Sequence, residues 1–251
     1  MLRGIYTAAT NMVTQRKKID VIANNVANAE TAGFKADTLI SRSFRDLLLS
    51  KVKDPAVLYT HPEVGPLNTG VRVDEVVTSF DQGDAVETSK PTDLLLLGSG
   101  YFVLSTPQGE CYTRDGSLQV TADGYLVNQD GHYVQGDAGN LYVGDARFTV
   151  GGDGSILRSD GTSAGRLRLA AFEDEGGLRK IGNNLYVNYT NQQLTAAECE
   201  VKQGYLEASN VNMANEILNM MNVYRTYETS QRVVRMMDES LGKAVNEVGK
   251  V

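Results

Sequence analysis

A catalytic or cofactor site needs the right side chains at the right spacing, and this 251-residue chain offers few candidates. Gly98-Ser99-Gly100 has the small residues of a phosphate-cradling loop. Such a loop also needs a Lys-Ser or Lys-Thr step opening a helix, and none follows, so the segment reads as a turn. Gly151-Gly152-Asp153-Gly154 has the composition of a calcium-binding β-roll, but the nine-residue reiteration that completes such a site is missing. Asn128 and Asp130 fall at EF-hand spacing, yet Leu126 stands where the first carboxylate belongs. His61 and His132 are the two histidines, and no convergent partner for a metal or a triad is announced, so both read as surface-loop residues. Glu173-Asp174-Glu175 beside Gly176-Gly177 reads as a solvated loop. Cys111 and Cys199 have no CxxC spacing and read as unpaired small apolar residues. The expectation is no catalytic residue, no metal, no cofactor and no enzyme activity.

The elements around these residues are more informative than the residues themselves. From residue 1 to about 32, apolar side chains recur at steps of three and four: Leu2, Ile5, Ala9, Met12, Ile19, Ala23 and Val26, with Arg16 as the polar intruder. The stripe is narrow, as in a coiled-coil seam. Gly33 supplies the left-handed residue that terminates a helix. At ~1.5 Å per residue such a helix is on the order of 45 Å long, more than a small β domain covers. The other end matches it. After Ser209 and Asn210, both good N-cap types, the positions Met213, Ile217, Met220, Tyr224, Tyr227, Val234 and Leu241 keep the same spacing, interrupted at Gln231 and Asp238.

Between the two ends the period changes. Short runs such as Tyr101-Phe102-Val103-Leu104 and Leu185-Tyr186-Val187 are punctuated by Asp-Gly steps at Asp115, Asp123, Asp130, Asp153 and Asp160, the residues of tight hairpins. Pro55, Pro62, Gly65 and Pro66 break any helix before them. The predicted fold is mixed α and β: long N- and C-terminal helices pair as a coiled coil, and the middle is an antiparallel all-β domain. The expected divisions are a helical assembly segment over 1–36, an extended connector with edge strands over 37–90, a β domain over 91–205 and a second helical assembly segment over 206–251.

Composition narrows the function classes. Hydrophobic residues make up 41% and charged residues 22%, ordinary globular usage. A net charge of -7 argues against nucleic acid. No run reaches the ~18 apolar residues of a membrane span. The N-terminus lacks a cleavable signal pattern, so the chain is expected either to stay in the cytosol or to leave by a route that reads something else.

Three stretches carry a resemblance. They are Ile22-Ala23-Asn24-Asn25-Val26-Ala27-Asn28-Ala29-Glu30-Thr31-Ala32-Gly33-Phe34-Lys35, then Gly98-Ser99-Gly100-Tyr101-Phe102-Val103 with Tyr112-Thr113-Arg114-Asp115-Gly116 and Asp123-Gly124-Tyr125-Leu126-Val127, and Gly204-Tyr205-Leu206-Glu207-Ala208-Ser209-Asn210-Val211-Asn212. In this order they resemble the bacterial flagellar rod and hook protein family, its distal-rod members first and its proximal-rod or hook-basal-body members second. Ala29-Glu30 departs from the Val-Asn often found there. The resemblance implies an axial subunit exported by the flagellar type III apparatus without a cleaved signal. It would assemble in the basal body, in the cell envelope, into a hollow drive shaft. Its implied partners are further copies of itself, other axial proteins of the proximal rod and hook, and the export apparatus, with ring bushings as a further candidate; nucleic acid and membrane insertion are not among them.

On this reading Leu2, Ile5, Met12, Ile19, Val26, Met213, Ile217, Met220, Tyr224, Tyr227, Val234 and Leu241, with Asn24, Asn25, Asn28 and Phe34, form an assembly interface, because the apolar stripes exceed what one partner helix covers. A self-contained helical hairpin is the competing use of the same residues. Asn24, Asn25 and Asn28 either fray a helix end or set register through hydrogen bonds. Phe34 and Lys35 anchor the turn into the connector. The ends are expected to be largely unfolded in the free monomer. The alternative from another class is an exported envelope β protein, a carbohydrate-binding module or hydrolase, with self-contained helical ends. The absence of Trp removes its usual sugar-stacking platform.

Overall fold

The computed structural model describes residues 2–44, 47–50, 63–190, 192–196 and 199–248; His61, Pro55 and Pro62 lie outside them. The chain divides into two compact units, one of Met1–Val26, Asp37–Val77 and Met213–Val251, the other of Ala27–Ala36 and Thr78–Asn212.

The first unit holds the two long helices, α1 (Leu2–Ala27) and α2 (Met213–Lys243), with strands β1 (Asp37–Ser43), β2 (Leu47–Ser50), β3 (Glu63–Leu67) and β4 (Val71–Thr78). β1 pairs with β4 and β2 with β3. α1 contains no proline, and the hydroxyls of Thr7, Thr10 and Thr14 bond back to the carbonyls of Arg3, Thr7 and Thr10 at 2.9–3.0 Å, which satisfies these side chains within the helix. Gly4 of α1 lies against Met237 of α2, where a Cβ would sit 2.5 Å from the methionine methyl. Asn11 Nδ2 donates to Ser230 Oγ at 2.8 Å. The contact thus advances from 4 to 11 on one helix while it retreats from 237 to 230 on the other. The helices run antiparallel along this contact, two turns at a time. On the row that Ser230 and Met237 define against α1, Met220, Val223, Tyr227, Val234 and Leu241 are half-buried, at steps of three and four.

Both helix ends differ from the sequence expectation. α1 stops at Ala27, not near 32, because polar side chains offer its last turn better partners. Asn25 Nδ2 donates to Asp37 O at 2.8 Å while Asp37 N donates to Asn25 Oδ1 at 2.9 Å, so one amide mimics a strand partner. Thr31 N then turns back to Asn28 O, and Phe34 N to Thr31 O. α2 starts at Met213 rather than after Ser209 or Asn210, whose side chains serve other contacts: Ser209 Oγ accepts from Val211 N, and Asn210 bonds to Ala36, Ser79 and Asp81.

The second unit is β-rich, with strands β5 (Ala85–Glu87), β6 (Leu94–Gly98), β7 (Tyr101–Thr106), β8 (Gly109–Thr113), β9 (Gln119–Val120), β10 (Leu126–Val127), β11 (Tyr133–Gly136), β12 (Gly139–Asn140), β13 (Thr149–Val150), β14 (Ser155–Leu157), β15 (Ser163–Arg166), β16 (Leu169–Ala171), β17 (Leu178–Gly182), β18 (Leu185–Asn188), β19 (Thr195–Ala196), β20 (Cys199–Gln203) and β21 (Tyr205–Glu207). The main antiparallel sheet runs β17-β18-β8-β7-β11-β10-β9, with β16 also on β7. β6 pairs with β20 and β5 with β21. Alternating residues of these strands fill a core around Leu94, Leu96, Phe102, Leu104, Leu126, Val134 and Ile156. An aromatic cluster of Tyr101, Tyr112, Phe172 and Tyr186 packs on the other side of β7.

Two meanders in this unit have the same construction thirty residues apart. β9-β10-β11 and β13-β14-β15 share their registers, Leu126 against Val120 matching Ile156 against Val150. Asp123-Gly124 and Asp130-Gly131 recur as Asp153-Gly154 and Asp160-Gly161, with glycine φ of +87° and +83° against +82° and +77°. A side chain at these glycines would be strained, which is why the steps read Asp-Gly in both.

Candidate assembly surface and terminal junction

Two features of the chain could serve an assembling protein: a junction that closes the second unit, and the uncovered faces of the helices in the first.

The junction is built from residues far apart in sequence. Gly33, at φ +65°, lets the chain pass against the backbone of Arg114, where a Cβ would lie 2.5 Å from the carbonyl carbon. Gly33 N donates to Glu207 O at 2.7 Å. Two residues on, Lys35 is 1% exposed, and its Nζ donates to Glu207 Oε1 at 2.6 Å and to Asp81 O at 2.7 Å. Glu207 also accepts from Gly83 N at 3.0 Å and faces Arg114 Nη1 at 3.5 Å. Arg114 lies over the Tyr101 ring and donates to Gly98 O at 2.7 Å, and Tyr101 in turn donates its hydroxyl to Glu175. Burial pushes the Lys35 ammonium below its ordinary pKa, and the bond to Glu207 opposes this. Burial, with the Glu175 charge next, drives the Tyr101 hydroxyl far up, so Tyr101 stays a donor. Phe34 is buried with Lys180 Nζ over its ring at 4.3 Å. Asn210 ties the same place shut, accepting from Ala36 N at 2.7 Å. The turn after α1 is thus held by Lys35 and Phe34, and the partners of Lys35 lie 46 and 172 residues away, beyond the reach of local sequence patterns.

The helical faces divide. Ile5, Met12, Ile19 and Val26 of α1 and Met220, Tyr227, Val234 and Leu241 of α2 are half-buried, whereas Met213, Ile217 and Tyr224 are exposed at 42%, 46% and 54%. The side chain of Leu2 lies outside the described residues. Asn25 is buried by its bond to Asp37, Asn28 is half-buried and Asn24 is exposed, with a further partner for each of Asn24 and Asn28. The structure therefore brings one set of the sequence-derived positions onto the α1-facing row of α2 and leaves another set outward. Met237, one of the residues that widen the apolar surface of the second helix, belongs to the inward row, as do Val223 and Ser230, which the sequence pattern does not single out. Leu218, Met221 and Met236 join the exposed set at 58%, 58% and 57%. Only Ser230 is buried among the described residues of α2. Such apolar exposure over a helix of 31 residues is far more than scattered surface hydrophobics explain.

Among the described residues no three His, Cys, Asp or Glu side chains converge as metal ligands, and no helix is long and apolar enough to cross a membrane. Cys111 and Cys199 are both free thiols, the first buried.

Long helices near both ends of the chain with outward apolar faces in one unit, and a β-rich second unit without a cluster of metal-ligating side chains among the described residues, are the features of a structural rather than a catalytic subunit. Comparison with known proteins gives the family. The description "Flagella basal body rod protein" matches residues 5–35, "Flagellar hook protein FlgE/F/G D1 domain" residues 95–157, and "Flagellar basal body rod FlgEFG protein C-terminal" residues 202–247. The flagellar basal-body rod protein FlgF of Caulobacter vibrioides is 35% identical over 260 residues, covering 100% of both chains. The flagellar hook-basal body complex protein FlhO of Bacillus subtilis is 30% identical over 274 residues, again across 100% of each. The flagellar basal-body rod protein FlgG of Buchnera aphidicola is 32% identical over 260 residues, covering 97% of this chain and 98% of the relative. The chain belongs to the flagellar basal-body rod family and is a structural component of the bacterial basal body.

Proposed function

We propose that the chain polymerises through α1 and α2, with other axial proteins at its ends, into a hollow shaft that transmits torque, and that it acts without catalysis. The observation that carries this reading is the outward apolar face of α2. Each fully buried large apolar side chain contributes about 1.5–3 kcal/mol, so covering Met213, Ile217, Leu218, Met221 and Tyr224 supplies a strong drive to associate. The steps of seven along the α1–α2 contact support a coiled-coil pairing, and the Asn11–Ser230 bond is a polar pair that would fix its register. The functional segments proposed are 1–36 and 206–251 for assembly, 37–90 as connector and 91–205 as the β domain. A distal place in the shaft, with a proximal place second, and passage through the flagellar type III apparatus follow from the resemblance; ring bushings are the candidate outer neighbours.

Replacing Met221 with Asp tests the reading. Intact second-unit folding with basal bodies that lack the chain is the expected result. Normal incorporation and swarming would refute it and would favour self-contained helical ends, as in an envelope β protein.

A further inference from the structure

An open helical assembly needs two different, complementary patches on each subunit, because a head-to-tail contact repeats without closing on itself. The first unit carries two such patches. One is concave: a groove of about 420 Å³ whose apolar lining includes Ala9 and Val13 of α1, Phe44, and Val71 of β4. Lys17 and Arg72 line it too, and both are exposed. The other is convex: Ile217, Met221 and Tyr224 stand on one row of α2 at steps of four and three, with Leu218 beside them, and the next position on that row is Glu228. Among the described residues Lys17, Arg72 and Glu228 have no ion-pair partner within their own chain.

We infer that the groove between α1 and β4 receives the Ile217–Glu228 face of α2 from a neighbouring copy, with Glu228 of that copy meeting Lys17 and Arg72. The inference rests on the reading that the chain polymerises and specifies which surfaces meet. A concave apolar slot with a cationic rim and an apolar stripe that ends in a carboxylate match in polarity and charge sign. The occupant is a second copy rather than a different protein because this one unit supplies both halves of the match. An apolar core inside a charged rim is the usual anatomy of a specific interface, with the rim setting orientation and partner choice.

The test uses basal bodies from cells that make the full chain with p-benzoylphenylalanine in place of Val13, together with an epitope-tagged copy lacking the probe. Val13 is 62% exposed, so the probe fits without disturbing a core. Irradiation is expected to link the probe to residues 213–228 of the tagged copy. Adducts confined to residues 44–73 of the same chain, to other residues of a second copy or to a different protein, in basal bodies that do contain the chain, would overturn the groove assignment while leaving polymerisation intact. Basal bodies without the chain, even when it carries no substitution, would overturn the polymerisation reading itself. As a second test, Lys17→Glu should lower incorporation about tenfold, and pairing it with Glu228→Lys should restore most of the loss. Restoration supports the contact; an additive loss in the double variant would overturn it, with near-ultraviolet circular dichroism checking that the second unit stays folded.

Discussion

Replacing Lys35 with Met removes one member of a buried ion pair while nearly conserving volume. Lys35 and Glu207 are both 1% exposed at the side chain, so the remaining carboxylate cannot be rehydrated in place. Removing one partner of such a pair typically costs about 3–5 kcal/mol. Glu207 keeps the Gly83 amide at 3.0 Å and Arg114 at 3.5 Å, which places the expected loss at the lower end, about 3 kcal/mol. For a unit of this size each kcal/mol lowers Tm by roughly 2–4 °C, giving a fall of roughly 6–12 °C. The assay is thermal unfolding of the purified full chain followed by near-ultraviolet circular dichroism, to which the second unit contributes eight of the twelve tyrosines. Combining Lys35→Met with Glu207→Gln removes the stranded charge and should recover at least half of the fall. A Lys35→Met shift below about 2 °C would refute the clasp as an energetic feature of the fold.

The remaining expectations test other links. Because burial lowers the Lys35 pKa from 10.5, the unfolded chain binds that proton more tightly. Stability from this group therefore rises with pH between its folded pKa and 10.5, and the pH dependence of Tm in that window should flatten in Lys35→Met. Burial raises the Asp115 pKa above 3.8, so its ionisation penalises the fold as pH climbs through that raised value. Asp115→Asn keeps an acceptor for Ser117 and should raise Tm by about 1–3 °C at neutral pH, read by calorimetry. Gly33→Ala combines a left-handed backbone with a Cβ driven into the Arg114 backbone and should cost about 2–4 kcal/mol in urea unfolding. Ile19→Asp or Met220→Asp should abolish assembly while leaving the second unit's Tm within about 1 °C, and unchanged motility would count against the helical interface.

The helical ends and the β-rich middle were legible because period changes are local. Three-four spacing marks α1 and α2, and Asp-Gly steps mark the hairpins. The face of α2 was harder to read. Met220, Tyr227, Val234 and Leu241 are common to two heptad series, one completed by Ile217 and Tyr224, the other by Val223, Ser230 and Met237. Apolar residues lie on both flanks, and periodicity cannot rank them; the contact with α1 through Gly4 and Asn11 does. α1 ends five residues before the stop that Gly33 predicts, because Asn25 is committed to Asp37. Lys35 was marked as an anchor, but a pair 172 positions apart leaves no local trace of its partner Glu207. The duplicated meander was visible as Asp-Gly at 123, 130, 153 and 160, and only the matching registers turn that spacing into a repeat.

Hydrogen exchange of the α1 and α2 amides, compared between the purified chain and intact basal bodies, tests most directly whether these helices are assembly elements. Their outward faces leave them marginal alone, so fast exchange in the free chain should give way to protection at least about 100-fold greater in the assembled state, with residues 90–200 protected in both. Helices already protected in the free chain and unchanged in the basal body would contradict the account, because their apolar faces would then have been satisfied within one subunit.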